Sequence, residues 1–533
     1  MALNLFENPL DFFRVMLIIK MSRFCDMTQN GQKFSVCTMR KGTIMARAAV
    51  KKQYNMTEGP LLGKMLKYAF PLMATGLLQV LYNASDMVVV GRFSSAGSVA
   101  MGAVGSCGPL INLLVNAFMG LSVGTGICVA QGIGAKRDDE VKSVVHTSLL
   151  GGLICGIFVG LFGFIACEPL LKLMMGGGEE TAKTLEQAVP YMRAYFVGMP
   201  AMMVYNFLAS ALRSSGDTKR PLIFLSISGL LNVIMNLIMV LGFDMGAIGV
   251  GIATSFAQYA SAAMILIYMC RYNGPCKIDL RRVRMIKDDV LAIVRNGLPA
   301  GIQSVVFSIS NVLIQSTINS YGDAVIAGSA AAGNIEGFIY IAMNSIYHTA
   351  MTFAGQNVGA EKIERVKRVG FIAVSVVVVT GVVIGGVCLA FGDTLLSIYV
   401  NEPDSVVHDQ VFSAGKLRLD MICTTYFLCG VTEVLTGLMR GMGKPIIPVA
   451  ISIIGSCALR ILWIITVCDI IFPGQIEWLY LVYPATWIVT SAALLICCVK
   501  TYKHLIRQRD AQKALLEEAL EQNIVGNHNS VKV

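Results

Sequence analysis

Asp86, Glu336, Glu433 and Arg460 each lie deep inside a long apolar stretch of this sequence. If such a stretch crosses a bilayer, a charge at its centre costs about 2.5–3.5 kcal/mol, so each is a candidate functional group. Asp86, in Tyr-Asn-Ala-Ser-Asp-Met, has the richest polar company: Asn83 one helical turn earlier, and Asn232, Asn236 and Thr254 on later stretches. Carboxylate, amide and hydroxyl oxygens are the ligands a hard cation such as Na⁺ takes. A carboxylate in a low-dielectric setting also holds a proton readily. The alternative for Asp86 is a hydrogen bond that only ties two helices together. Glu433, in Gly-Val-Thr-Glu-Val, reads either as a second functional acid or as the partner of a buried base such as Arg460. Glu336, in Asn-Ile-Glu-Gly, and Arg460, in Ala-Leu-Arg-Ile, stay open between a site and a structural pair. Asp420 and Arg193 sit nearer the ends of their stretches, where long side chains reach water cheaply.

Positioning these groups requires membrane-crossing helices, and the composition supplies them. Of 533 residues, 55% are hydrophobic and only 14% charged, with a mean hydropathy of +0.65. A soluble globular chain carries about 25% charged residues. Apolar stretches of bilayer-spanning length recur with polar breaks between them. Twelve spans are predicted, at about 66–90, 98–130, 143–167, 189–212, 221–242, 246–270, 298–319, 327–355, 369–391, 415–438, 445–468 and 478–500. The net charge of +10 is not a nucleic-acid signature, because Lys and Arg fall on alternate loops. Lys136, Arg137 and Lys142 follow the second span, Arg271 to Arg295 the sixth, Lys362 to Arg368 the eighth, and Arg440 with Lys444 the tenth. The intervening loops carry Asp323, Asp393, Glu402 and Asp469 instead. Basic loops stay cytoplasmic, which places both termini inside and makes the span count even. Most of the 15 cysteines lie within apolar stretches and no paired CxxC motif occurs, so no metal cluster is expected.

The two halves repeat. Pro71 matches Pro299, Gln131-Gly-Ile-Gly-Ala matches Gln356-Asn-Val-Gly-Ala, and Arg213-Ser-Ser-Gly matches Arg440-Gly-Met-Gly, at offsets of 228, 225 and 227 residues. Six spans per half keep the halves in one orientation, as parallel repeats around a central cavity. The expected organisation is an N-terminal cytoplasmic extension over 1–55, a first lobe over 56–270, a basic linker over 271–297, a second lobe over 298–500 and a charged, helix-prone tail over 501–533. The extension lacks a signal-peptide pattern and suggests a start misassigned upstream of Met45 or Met56. Arg213-Ser-Ser-Gly and Arg440-Gly-Met-Gly read as positive-inside anchors with helix-ending glycines, or as a gating hinge.

Pro71, Asn83-Ala-Ser-Asp86, Gln131-Gly-Ile-Gly-Ala, Arg213-Ser-Ser-Gly-Asp-Thr, Gly246 to Thr254 and Arg440-Gly-Met-Gly, in that order, resemble the multidrug and toxic compound extrusion (MATE) family in its bacterial branch. The resemblance runs from Thr57 to Lys500. It implies an all-α membrane protein of twelve helices in two six-helix lobes, in a bacterial plasma membrane, exporting cationic amphipathic drugs in exchange for Na⁺ or H⁺. It also implies a cation site in the first lobe at Asp86, Asn232, Asn236 and Thr254. Many members carry Asp where this chain has Asn236, which removes one carboxylate. Another branch places a Glu in the seventh span, where this chain reads Val-Val-Phe307-Ser308. The second-lobe candidates Glu433, Glu336 and Arg460 come from depth in the spans alone. No cofactor beyond the coupling ion, no nucleic acid and no catalysis are expected, and a monomer in contact with lipid is. A membrane-embedded enzyme would need clustered His, Ser/His or paired acids, whereas His146 and His348 stand apart. A flippase or exporter of lipid-linked oligosaccharide or polysaccharide precursors is the nearest rival. It would carry several basic residues in its cavity, and Arg460 is the clear mid-span one.

Overall fold

In hydrocarbon every backbone polar group needs an internal partner, which leaves helices and closed barrels. The computed structural model describes residues 55–175, 179–400 and 405–530, so nearly all of the expected 1–55 extension lies outside the described residues. The described residues are helical and contain no strand. In the first half, α1 (Leu61–Phe93), α2 (Gly97–Gly134), α3 (Asp138–Met175), α6 (Lys219–Gly242) and α7 (Gly246–Arg271) are each long and apolar enough to cross a bilayer. A bent pair, α4 (Glu179–Val197) and α5 (Met199–Ser214), forms the fourth span. The second half repeats this with α8 (Lys287–Asn319), α9 (Asp323–Gly359), α10 (Ile363–Ala390), a short α11 (Gly392–Ser397), the bent pair α12 (Ser405–Cys423) and α13 (Tyr426–Gly441), α14 (Ile446–Ile471) and α15 (Ile476–Ser530). Ten straight spans and two bent ones make twelve.

The fourth and tenth spans differ from the unbroken stretches expected at 189–212 and 415–438: each bends by 47° and begins earlier. The causes are local. In the fourth, Gly198 N turns to the Tyr195 carbonyl at 3.1 Å, Ser255 Oγ donates at 2.5 Å to the Ala194 carbonyl this leaves, and Pro200 just after the break has no helix donor. In the tenth, Thr424 Oγ1 donates to Asp420 O at 2.5 Å and Thr425 Oγ1 to Met421 O at 3.3 Å, and such back-bonding bends helices.

The halves meet along α2 and α8, where glycines replace side chains. A Cβ added at Gly297 would lie 2.7 Å from the Gly120 carbonyl, a backbone approach that only small residues permit. The first turns of α1 lean into the other half: Leu61, Met65, Tyr68 and Leu72 share a core with Ile339 and Phe353. Tyr68 donates to Thr352 Oγ1 at 3.1 Å and sets its ring edge-on to Phe353.

At the end of the bundle that bears the basic loops, the repeated motifs close on each other about a pseudo-two-fold axis. Gln131 Nε2 donates to the Gly441 carbonyl at 3.1 Å, and Gln356 Nε2 donates to the Ser214 carbonyl at 2.7 Å. Gly134 lies against the Gln356 carbonyl and Gly359 against the Gln131 carbonyl. Lys136 and Glu361, both at φ 57°, reverse the chain at matching positions. Gly216 (φ 98°) and Gly443 (φ 75°) end α5 and α13, with Asp217 N bonded to Leu212 O and Lys444 N to Met439 O, both at 3.0 Å. These are the helix-ending glycines expected from the sequence.

Candidate functional site

Asp86 is buried on α1 and faces α6 and α7. Asn232 and Asn236, four residues apart, share one face of α6. Asn236 Nδ2 donates to Asp86 Oδ1 at 2.5 Å and to Asn232 Oδ1 at 3.4 Å; Asn232 Nδ2 donates to Thr254 Oγ1 of α7 at 3.3 Å. The four residues predicted to meet are thus brought together. Directly after Asn236 the helix widens over Ile238–Gly242 to i→i+5 bonding, a distortion that recurs at functional positions. Asn236 is fully buried, yet its Oδ1 has no hydrogen-bond partner. A buried acceptor left this way loses about 1–3 kcal/mol, which a bound cation or a proton donor would recover. The oxygens of Asp86, Asn236, Asn232 and Thr254 suit Na⁺ in kind.

The second half holds a cavity of about 760 Å³ enclosed by α8, α9, α12, α13, α14 and α15, with Asn116 and Met119 of α2 on the facing side. It extends from Ile318, near the α8 end remote from the basic loops, to Arg440 near the closed basic end. Glu336, Glu433 and Arg460 all line it, as do Arg418, Arg440 and His348. Glu336 is neutralised: Arg418 donates from Nε to Oε1 at 2.7 Å and from an amino nitrogen to Oε2 at 3.0 Å, a two-pronged buried pair. Glu433 and Arg460 do not form the pair considered from the sequence. Arg460 Nε donates to Thr486 Oγ1 at 3.4 Å, and its guanidinium stacks 4.9 Å from the Tyr483 ring centre.

Arg440 corrects a second expectation. It is no loop anchor but a buried side chain inside α13, donating to the Tyr347 hydroxyl and, at 2.6 Å, to Gln303 Oε1. Sequence reasoning missed Arg418 because the apolar run begins at about 415, whereas the helix begins at Ser405. The ten preceding residues carry Arg418 deeper than hydropathy indicates. His348 stands apart only along the chain, and in the fold it lines the same cavity. Arg193 and Asp420 behave as expected near span ends: Arg193 pairs with Glu168 at 3.1 Å, and Asp420 lies 3.9 Å from Lys416.

Two like-oriented halves, each of six spans, with a buried polar network in one and a charged cavity in the other, define a polytopic membrane transporter architecture. The fold matches an outward-facing structure of a multidrug resistance MATE family transporter of the MOP superfamily, with a TM-score of 0.77 at 18% identity over 86% of this chain and 99% of that one. The MatE family profile matches twice, over residues 71–238 and 299–466, at the 228-residue offset of the prolines. The chain belongs to the MatE family. It is 27% identical over 400 residues to the probable multidrug resistance protein YoeA of Bacillus subtilis, covering 73% of this chain and 83% of that protein. It is 24% identical over 384 residues to the multidrug export protein MepA of Staphylococcus saprophyticus, covering 71% and 81% respectively.

Proposed function

We propose that this protein is a secondary active antiporter in the bacterial plasma membrane, exporting amphipathic drugs and other xenobiotics in exchange for Na⁺ or H⁺. The observation that carries the coupling half is the Asp86–Asn236–Asn232–Thr254 network with its unpartnered buried oxygen. Binding a cation or proton there changes the charge of a group buried between α1, α6 and α7, and so biases how those helices pack. The export half is supported by the multidrug names of the relatives and by a drug-sized cavity lined with aromatic and polar groups. The basic-loop end is the cytoplasmic side, by the excess of Lys and Arg there. With that end closed, the cavity faces outward, and rocking of the halves about α2 and α8 alternates access.

A cationic centre on the exported molecule has one free carboxylate to meet, Glu433, because Arg418 already neutralises Glu336. The test is ethidium efflux from proteoliposomes under an imposed Na⁺ gradient and, separately, an imposed proton gradient. Wild type should respond to one of them and Asp86→Asn to neither; gradient-driven efflux undiminished in Asp86→Asn would remove the network from the mechanism.

A further inference from the structure

The charges of the second-half cavity do not balance. Three guanidinium groups, Arg418, Arg440 and Arg460, face two carboxylates, Glu336 and Glu433. Glu336 is spent on Arg418, which leaves two arginines and one acid. Both remaining arginines are held by neutral groups: Arg440 by Tyr347 and Gln303, Arg460 by Thr486 and the face of Tyr483. Arg440 is 6% exposed and Arg460 4% exposed. The Nε of Arg440 is buried without a partner, and among the described residues the terminal nitrogens of Arg460 donate to nothing. Buried charges are ordinarily paired, and the unused N–H donors at the end of the Arg460 guanidinium are the shape that a carboxylate or phosphate fills, with Arg440, its amino nitrogens held by Tyr347 and Gln303, adding a second positive charge. Tyr340, Tyr426, Trp487 and Phe307 offer flat apolar walls around these donors.

We infer that this cavity binds an oxyanion: the exported molecule carries a carboxylate or phosphate that docks between Arg440 and Arg460, its aromatic or aliphatic body lying against the aromatic walls. This rests on the reading that the chain exports small organic molecules. A basic nitrogen on the same molecule would face Glu433, so zwitterions fit as well as anions, and a cation alone uses the smaller share of the charges present.

The test compares an acid with its own ester. Binding of ciprofloxacin, of ciprofloxacin methyl ester and of farnesyl pyrophosphate is measured on the detergent-purified full chain. The acid should bind roughly tenfold or more tightly than the ester, the scale of lost charge-assisted hydrogen bonds. Arg460→Gln should erase that preference, and Arg460→Lys should restore part of it. Farnesyl pyrophosphate binding that depends on Arg460, with no acid preference for ciprofloxacin, would keep the oxyanion site and assign it to a lipid-linked phosphate. Equal binding of acid and ester, together with no binding of the pyrophosphate, overturns the inference. The wild-type comparison needs no variant to fold. Efflux of ciprofloxacin and of ethidium in proteoliposomes reports separately on export: failure of both in wild type would sink the export reading, while the binding result still decides the oxyanion site.

Discussion

Substituting Gly134 by alanine tests whether the closed basic end is a gate. Gly134 ends α2 against the backbone of α9. A Cβ there would fall on the Gln356 carbonyl oxygen, with the carbonyl carbon at 2.8 Å and Ala360 N at 3.0 Å. All of these are backbone atoms, which no rotamer change can move aside. That oxygen is 2.0 Å away, and carbon–oxygen contacts sit at about 3.3 Å or more, so the helix ends must part by about 1.3 Å. The same displacement stretches the Gln131–Gly441 bond from its 3.1 Å beyond hydrogen-bonding range and weakens the 2.7 Å Gln356–Ser214 bond. Overpacking costs about 1–3 kcal/mol and a lost buried hydrogen bond about 1 kcal/mol. Closure should therefore weaken by about 2–4 kcal/mol, which at 1.4 kcal/mol per decade shifts the population at least tenfold toward states open at the basic end.

Hydrogen exchange followed by mass spectrometry reads this directly. Peptides covering 131–137 and 356–362 should exchange faster in Gly134→Ala, and peptides in the α3 interior should not change. Gly151→Ala is the control, because its Cβ meets nothing within 4 Å; it should leave exchange unaltered or raise stability slightly, as Ala for Gly does in a helix. Gly359→Ala, which meets Gln131 in the same way, should reproduce the Gly134→Ala pattern. Unchanged exchange in both variants would refute the gate.

Three further outcomes follow from the geometry. Asn236→Asp adds a carboxylate beside Asp86 and should make thermal stability rise with Na⁺ at concentrations at least tenfold lower than in wild type; a flat Na⁺ response in both proteins would argue for proton coupling alone. Glu336→Gln leaves Arg418 charged and buried without its partner, which should lower stability by about 3–5 kcal/mol, whereas Glu336→Leu with Arg418→Leu should lie closer to wild type; a single variant as stable as wild type would contradict the pairing. Arg509→Ala breaks the contact of the α15 tail with Glu364, whose carboxylate is largely solvent-exposed, and should leave thermal stability almost unchanged, with a thermal shift of several degrees counting against a peripheral tether.

Hydropathy, loop charge and the internal offsets made the span number and the repeat legible, because each depends on local composition or on spacing that survives duplication; the four-residue polar network was legible through the family resemblance. Two kinds of feature were hidden. The bends at Gly198 and at Thr424–Thr425 occur within apolar runs, where a window average registers no interruption. Burial of Arg418 and Arg440 was masked by their neighbours, since Lys416 and Asp420 flank one and Lys444 follows the other, so both read as residues of span ends. Depth in a membrane helix is set by where the helix starts and tilts, and an amphipathic first turn conceals the start.

The two halves keep their likeness in one place and lose it in another, for a physical reason. The basic-end closure pairs each half with the other through the same residues: Gln131 with Gln356, Gly134 with Gly359, and Lys136 and Glu361 at the same φ. An interface close to two-fold is self-complementary, so a change on one side removes a contact that its counterpart on the other side still makes. The membrane-depth sites bear no such constraint. At the 228-residue offset of the repeat, Arg460 stands where the first half has Asn232, and Ile314 stands where it has Asp86. Both replacements line the second-half cavity. The exchange of acid and amide for aliphatic and guanidinium at the same backbone positions leaves the second-half counterpart of the polar network more positive. A duplicated scaffold thereby holds different charges at membrane depth in its two halves while the contacts at its basic end stay close to symmetric.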